Sequence, residues 1–491
     1  MTKMPLQFGE WRPDLALLDS QWAAIADNVF PGSNSYKPIP SLLPFTAAAL
    51  PTGPAVGLTA ARRADGSWAI YAGSRTRLYR FSLAGWTDVT RTTGGDYHVP
   101  VGQAWSATQF GSNLVICQTG DPVQTIDVDS GTNFAALGGS PPAARNCKQI
   151  GDFLVLGGLV GSPRKIAWSG LNNITQWTIG LNLSDVQEFP DNPVQGVAGS
   201  EVGYVVCDRS IYVMQFLPGD ITYIFNFSRV VKDRGAVSEF GFGTVADTLY
   251  FLAEDGFYSL TGSNLAAIGQ DKCNEFFLAN SDVDRRNVVR FVPSNKPFVV
   301  WAFHSTSAAQ TYDRVMIYNW SNQRWATGTI AAQIYAQLGS VGLDLDTTGT
   351  ETGDALLDST AKGLDSFAYI GGRPLICGID PNGLLCALQG PNLSATVETA
   401  EAHLVPGARA FISEVYPLID GGATSIVASA TRERLEDTPV WGSPLPLEIT
   451  GSIPLFSSSR LHRFRMTVPA GETWTNAQGV MVEAQQDGTV A

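Results

Sequence analysis

Short apolar runs punctuated by turn residues recur along most of this chain. WAIYAGS begins at residue 68, NLVICQTG at 113, DFLVLGG at 152, VGYVVCD at 202, TLYFLAEDG at 248 and PFVVWAF at 297, in steps of 45, 39, 50, 46 and 49 residues. Each is followed by a Gly/Asp/Ser turn and a partner run: RLYRF, PVQTIDV, RKIAWSG, SIYVMQF, GFYSL and RVMIYNW. Several units end on an aromatic segment, GWTDVT (85–90), TQWTIG (175–180) and QRWATG (323–328). A seventh copy is expected at 365–388, DSFAYIGGRPLICGIDPNGLLCAL, after a longer step of 68. Runs of this length, rich in β-branched and aromatic residues and bounded by turns, predict strands. A repeat of 40–50 residues with three or four strands per copy predicts a β-propeller, because one small sheet cannot bury both faces and copies must stack around an axis. The fold class is therefore all-β, with six or seven blades over residues 50–390. Trp68, Trp177, Trp301 and Trp325 are read as blade-to-blade packing.

The two ends of the chain follow other patterns. In PDLALLDSQWAAIADNVFP, Leu15, Leu18, Trp22, Ile25 and Val29 recur at steps of three and four, which predicts a helix over about 14–27 between Pro13 and Pro31. That helix would cover one end of the main domain or pack on a partner subunit. The ribbon after it, with Pro38 and Pro40, should be extended and semi-rigid, so residues 1–49 form an N-terminal arm. Residues 391–491 alternate apolar and polar positions in runs of five to nine, which predicts a small sandwich-like β domain. In RLHRFRMTVP, Phe464, Met466 and Val468 should face in, and Arg463, Arg465 and Thr467 out. Arg460, His462, Arg463 and Arg465 are read as a solvated strand face or an intersubunit ion-pair cluster. The extra length before the seventh copy holds LDLDTTGTETGDALLDST, in which Asp344, Asp346, Glu351, Asp354 and Asp358 stand without a basic residue. This acidic loop is solvated, or it lies on the propeller rim or faces a channel.

Composition narrows the function. The 491 residues are 44% apolar and 16% charged, with 50 glycines and 28 prolines, so a large core and many tight turns are affordable. A net charge of −13 argues against phosphate neutralisation as the main task, though an acidic wall beside DNA would repel it and let it slide. No secretory h-region and no long apolar run is expected to mark a signal peptide or membrane anchor. The six cysteines are scattered, none as CxxC, and read as buried thiols; the four histidines lack ligand spacing, so no metal or cofactor is expected. No GxSxG, HExxH or GxxxxGK[ST] motif is present. DVDSGTNF (127–134) is similar to the Asp-box of sialidase-like propellers, in which Asp129, Gly131 and Phe134 would hold a structural hairpin. No carboxylate pair is marked by its context as a general acid and nucleophile, so no enzyme is expected.

FGEWRPDLALLDSQWAAIADNVFPGSNSYKPIPSL (8–42) resembles the N-terminal signature of the tail nozzle, or packaged-DNA-stabilisation, proteins of short-tailed double-stranded-DNA bacteriophages. Glu10, Trp11, Pro13, Asp14, Ala26, Asn28, Val29, Pro31, Tyr36, Pro38 and Pro40 carry the match. KIAWSGLNNITQWT (165–178) resembles a blade element of those proteins, and VPGARAFISEVYPLID with the Arg-rich segment after it is similar to their C-terminal strands. The resemblance implies a virion tail protein, made in the bacterial host cytoplasm. It implies a homohexameric ring below the portal and adaptor that extends the DNA channel, helps retain and eject the genome, and anchors fibres or the distal tail. Genomic DNA would pass through the lumen without sequence-specific contact. It also implies that Trp11, Asp14, Trp22, Asn28, Pro31, Tyr36 and Pro38 form a subunit-contact arm. The alternative is a glycan-binding or glycan-processing propeller, a tail depolymerase or lectin-like module, which would need clustered carboxylates and aromatics at the axial mouth.

Overall fold

A computed structural model describes residues 2–190, 192–219, 223–307, 311–339 and 374–489. Apart from one short helix, Asn274–Asn280, and one 3-10 turn, Val283–Val288, the regular structure of these residues is β. Seven four-stranded antiparallel meanders follow one another, over 57–88, 106–136, 144–188, 194–231, 242–267 and 290–332, the last using 334–392. They are numbered here sheets one to seven. The first strand of each lies against the first strand of the next, and Ile334–Gly339 of sheet seven lies against Gly57–Arg62 of sheet one. The arrangement is consistent with propeller blades around an axis. No helix of the described residues is long and apolar enough to cross a membrane.

The apolar runs that mark the repeat are the second strands. Phe153–Leu159, Gly203–Cys207 and Phe298–Phe303 are buried along their whole length, because both faces are covered by neighbouring sheets. Continuous apolar character follows from two-sided burial. The first strands carry a weaker signal: Ser106–Phe110 (SATQF) and Ala144–Ile150 (ARNCKQI) mix polar and apolar residues because one side looks onto the axis. Sheet-to-sheet contact rests on aromatics over glycine. The Trp68 indole lies on Gly339, where a Cβ would meet the ring at 2.4 Å, so sheets one and seven pack edge against face. Trp301 and Trp325 are fully buried and stacked at 5.7 Å, an arrangement that adds about 1 kcal/mol beyond the area it buries. Trp177 differs: TQWTIG forms a turn rather than a strand, and its indole N–H is spent locally on the Ile174 carbonyl at 2.7 Å.

Three expectations about the ends are corrected. The helix over 14–27 does not form; Ile25–Asp27 is a strand and the residues before it are irregular. Its amides bond to distant segments: Asp19 N–H to the Glu401 carbonyl (2.7 Å), Ala23 N–H to Glu10 (2.8 Å) and Ala24 N–H to Glu398 (2.9 Å). Asp19 sits at φ 47°, in the left-handed region that no helix interior contains. Of the expected stripe only Val29 reaches the core, alongside Trp11, Ala23 and Ala26, while Leu15, Leu18, Trp22 and Ile25 stay half-buried. Next, the arm does not end at 49: Pro40–Ala49 pairs antiparallel with Leu384–Asn392 and supplies the fourth strand of sheet seven. The N-terminal region thereby closes the last sheet. Finally, sheet seven opens at Ile334–Gly339, and only 374–388 of the expected seventh copy (365–388) is described. Asp344, Asp346, Glu351, Asp354 and Asp358 lie outside the described residues.

Beyond sheet seven the chain builds two further layers. Ile25–Asp27, Ala395–Glu398, Leu461–Val468 and Ile426–Arg432 extend sheet six through a parallel bridge between Asp27 and Thr327. Val29–Pro31, Tyr36–Pro38, Trp474–Thr489, Ala408–Gly421 and Ile453–Ser459 form the second layer, with Thr2–Gln7 also paired to Trp474–Thr489. Phe464, Met466 and Val468 from one layer and Ile412, Val415, Val480 and Val482 from the other share one buried cluster, which runs on to Trp301 and Trp325. The inward register of Phe464, Met466 and Val468 is the one that alternation predicts. Arg463 and Arg465 are not simply solvated: both pair with Glu398, whose side chain is fully buried. His462 is buried as well, with Nε2 near the Ser459 and Ala410 carbonyls, and desolvation pulls its pKa below the ordinary histidine value.

Candidate functional site

The signature residues of the arm meet in one place, against their own chain. Trp11 is buried, donates its indole N–H to the Ala24 carbonyl (3.3 Å) and meets Phe276 edge-on at 4.9 Å. Asp14 accepts from the backbone N–H groups of Glu275 and Phe276, each at 2.9 Å. The helix Asn274–Asn280 begins at Cys273, whose side chain makes no capping bond, so Asp14 caps it from 260 residues away in sequence. Glu10 holds both Arg12 (2.8 Å) and Lys272 (2.8 Å), and the Arg12 guanidinium lies 4.2 Å over the half-buried Trp22 ring. Asn28, at φ 58°, donates to the Ser394 carbonyl (2.8 Å) and accepts from the Thr329 N–H (2.7 Å). The Pro31 carbonyl accepts from Asn319 (2.8 Å) and Asn322 (3.2 Å). Tyr36 is fully buried, donates to the Gly9 carbonyl (2.7 Å) and has its hydroxyl pKa pushed up by burial. Pro38 closes a small ladder opposite Val29.

The contacts these side chains make in the structure lie within their own chain. Trp11, Pro31 and Tyr36 are consumed inside the subunit, where they tie sheet six to the C-terminal layers. Pairing of Tyr36 with Ala477, the bond from the Thr329 N–H to Asn28 and the bond from Arg324 to the Gly32 carbonyl hold the ribbon to Trp474–Thr489 and Arg324–Ala332.

A second site lies on the ring axis, and the sequence reading missed it. First strands from six sheets enclose a cavity of about 290 Å³. Leu58, Trp105, Phe242 and Phe291 make its apolar wall, and Gly57 and Gly73 let Trp105 pack onto the backbone, where a Cβ would fall 2.5–2.7 Å from the ring. The charged groups in the wall are Lys148, Glu239 and Arg290. Glu239 is placed by its loop: the Ser238 hydroxyl donates to the Val289 carbonyl (2.7 Å), and the Phe291 N–H donates to the Phe240 carbonyl (2.7 Å). Desolvation pushes the Glu239 carboxyl up to about 7, partly offset by Arg145 and Arg290; Arg145 pairs with it at 3.2 Å. Burial pulls the Lys148 ammonium below the ordinary lysine value. Asn146 spans two sheets, donating to the Ser106 hydroxyl (3.2 Å) and accepting from the Val197 N–H (2.9 Å). Cys147 also lines the cavity, with Cys117 behind it; burial raises the Cys117 thiol well above its ordinary value, away from thiolate reactivity. The six cysteines are all buried, and none is in a disulfide.

Two carboxylates flanking one bond are the requirement for most glycoside hydrolysis. The described wall of this cavity carries one, Glu239. DVDSGTNF behaves as a structural turn: Asp127 accepts from the Asp129 and Ser130 N–H groups (3.0 and 2.8 Å), Asp129 accepts from the Ala64 N–H of sheet one (2.9 Å), and Phe134 is buried against Tyr71. The only sequence hint of the axial site was a lone lysine in the run ARNCKQI.

No family model matches the chain, and no curated protein matches it. Among solved structures, the extracellular domain assigned to a hybrid two-component system of B. thetaiotaomicron (BT4673) is similar at a TM-score of 0.42 and 8% identity, over 82% of this chain and 47% of that one. The chain thus matches about half the length of that protein. The computationally designed Ika8 protein is similar at a TM-score of 0.36 and 9% identity, over 78% of this chain and all of the design. What stands independently of these likenesses is an all-β chain of repeated four-stranded antiparallel sheets.

Proposed function

We propose that the chain is a virion structural protein, a subunit of the tail nozzle ring of a short-tailed bacteriophage. In this reading the sheets form a seven-bladed propeller, the N-terminal segment is an internal clasp, and residues 391–491 form a sandwich-like domain fused to the sixth blade. Copies assemble as a homohexamer below the adaptor and portal, carry fibres or the distal tail, and extend the channel through which genomic DNA leaves. The observation that carries the reading is the employment of the signature residues. Glu10, Trp11, Asp14, Asn28, Pro31 and Tyr36, which bear the resemblance, each fasten one part of the subunit to another. A sequence signature spent on rigidity suits a mechanical component. The charge of −13 per subunit suits a conduit that repels DNA at short range.

Mass photometry of the purified full chain, followed by electron cryo-microscopy, tests this. The expected result is closed rings of several hundred kilodaltons, with the same density below the portal in intact virions. A chain absent from virions, or one that turns over host polysaccharide through an essential Asp or Glu, would overturn it.

A further inference from the structure

The axial cavity holds two cationic side chains, Lys148 and Arg290, in a partly apolar wall. Lys148 lines it from Ala144–Ile150 of sheet three, and its ammonium makes no hydrogen bond or ion pair among the described residues. Arg290 lines it from Arg290–Pro293 of sheet six; its guanidinium is 4.6 Å over the Phe240 ring and faces Tyr312 and Glu239, while its Nε is buried without an acceptor. The carboxylate in the wall, Glu239, is already engaged by Arg145. A buried donor such as Arg290 Nε goes unpaired only at a cost, and native proteins rarely leave one so. Two cations placed in a partly apolar cavity are conspicuous in a chain that carries 45 acidic and 32 basic side chains.

We infer that the axial cavity is a binding site for a small oxyanion of the phosphate or carboxylate type, with Lys148 and Arg290 as its donors. A volume of about 290 Å³ accommodates such an ion together with several waters. Arg290 rests 4.6 Å over the Phe240 ring, which restrains its side chain, and Lys148 acts as a point charge. The groups facing Glu239 and the donors are Arg145, Tyr312, Cys117 and Cys147, none of which offers a second carboxylate to compete for the cations.

The test is titration calorimetry of the full chain with sodium phosphate and with sodium acetate, each against sodium chloride at equal ionic strength and pH 7. Saturable binding of phosphate or acetate is expected, absent with chloride, and which of the two binds tells the phosphate type from the carboxylate type. Lys148→Met should weaken binding by about tenfold or more, while Lys148→Arg, which keeps the charge, retains most of it. Equal responses to all three salts in the unaltered protein would overturn the inference without recourse to any variant. Unchanged affinity in a folded Lys148→Met protein would overturn it as well.

Discussion

Replacing Glu239 by glutamine probes the electrostatics of the axis. The carboxyl ordinarily titrates at 4.5 and here at about 7, chiefly because burial disfavours its charge. The folded chain therefore binds this proton more tightly than the unfolded chain does. Between pH 4.5 and 7 the folded state holds the extra proton, so stability falls as pH rises through that window. The contribution is fully present below about 4.5 and lost above about 7. At roughly 1.4 kcal/mol per pH unit, the difference amounts to about 3 kcal/mol. Glutamine occupies the same volume and does not titrate. It leaves Arg145 without a charged partner at every pH, a constant that cancels when one variant is followed across pH. Urea denaturation of both proteins at pH 5 and pH 8 measures the effect. The stability of Glu239→Gln relative to the parent is expected to rise by about 2.5 kcal/mol from the lower to the higher pH, the rest of the window lying below pH 5. Parallel pH profiles for the two proteins would refute the reasoning, because they would mean that Glu239 titrates as it does in water.

Two further outcomes follow from the clasp and the C-terminal layers. Asp14→Ala removes the remote cap of Asn274–Asn280 and should cost about 1–2 kcal/mol locally, read as roughly tenfold faster amide exchange at Glu275 and Phe276 with the sheets unaffected; unchanged exchange there would remove Asp14 from that role. Glu398→Ala strands Arg463 and Arg465 beside a fully buried position and should cost about 3–5 kcal/mol, seen as a lowered thermal transition; a melt equal to the parent's would show that the two arginines find water instead.

Much of the architecture was legible because burial on both faces leaves a mark in sequence. Each run from WAIYAGS to PFVVWAF is a strand, and the partner runs are the next strands in the same sheets. Alternation alone placed Phe464, Met466 and Val468 on the inner face. The signature residues of the arm were legible as important, but their employment was not. The period-3.6 pattern of Leu15, Leu18, Trp22 and Ile25 pointed to a helix, yet the amides there are satisfied by Glu10, Glu398 and Glu401, partners that no local pattern announces.

What the sequence determined on its own was the class: a spacing of short two-sided strands admits little besides stacked antiparallel sheets. The tertiary structure alone decided that Pro40–Ala49 completes a sheet begun almost 300 residues later, and that Asp14 caps a helix in another part of the chain. It also decided that Lys148, Glu239 and Arg290 share one cavity. The physical reason is the same in each case. Strand formation is a property of neighbours along the chain, whereas closure, capping and charge burial depend on residues brought together only when distant sheets meet around an axis.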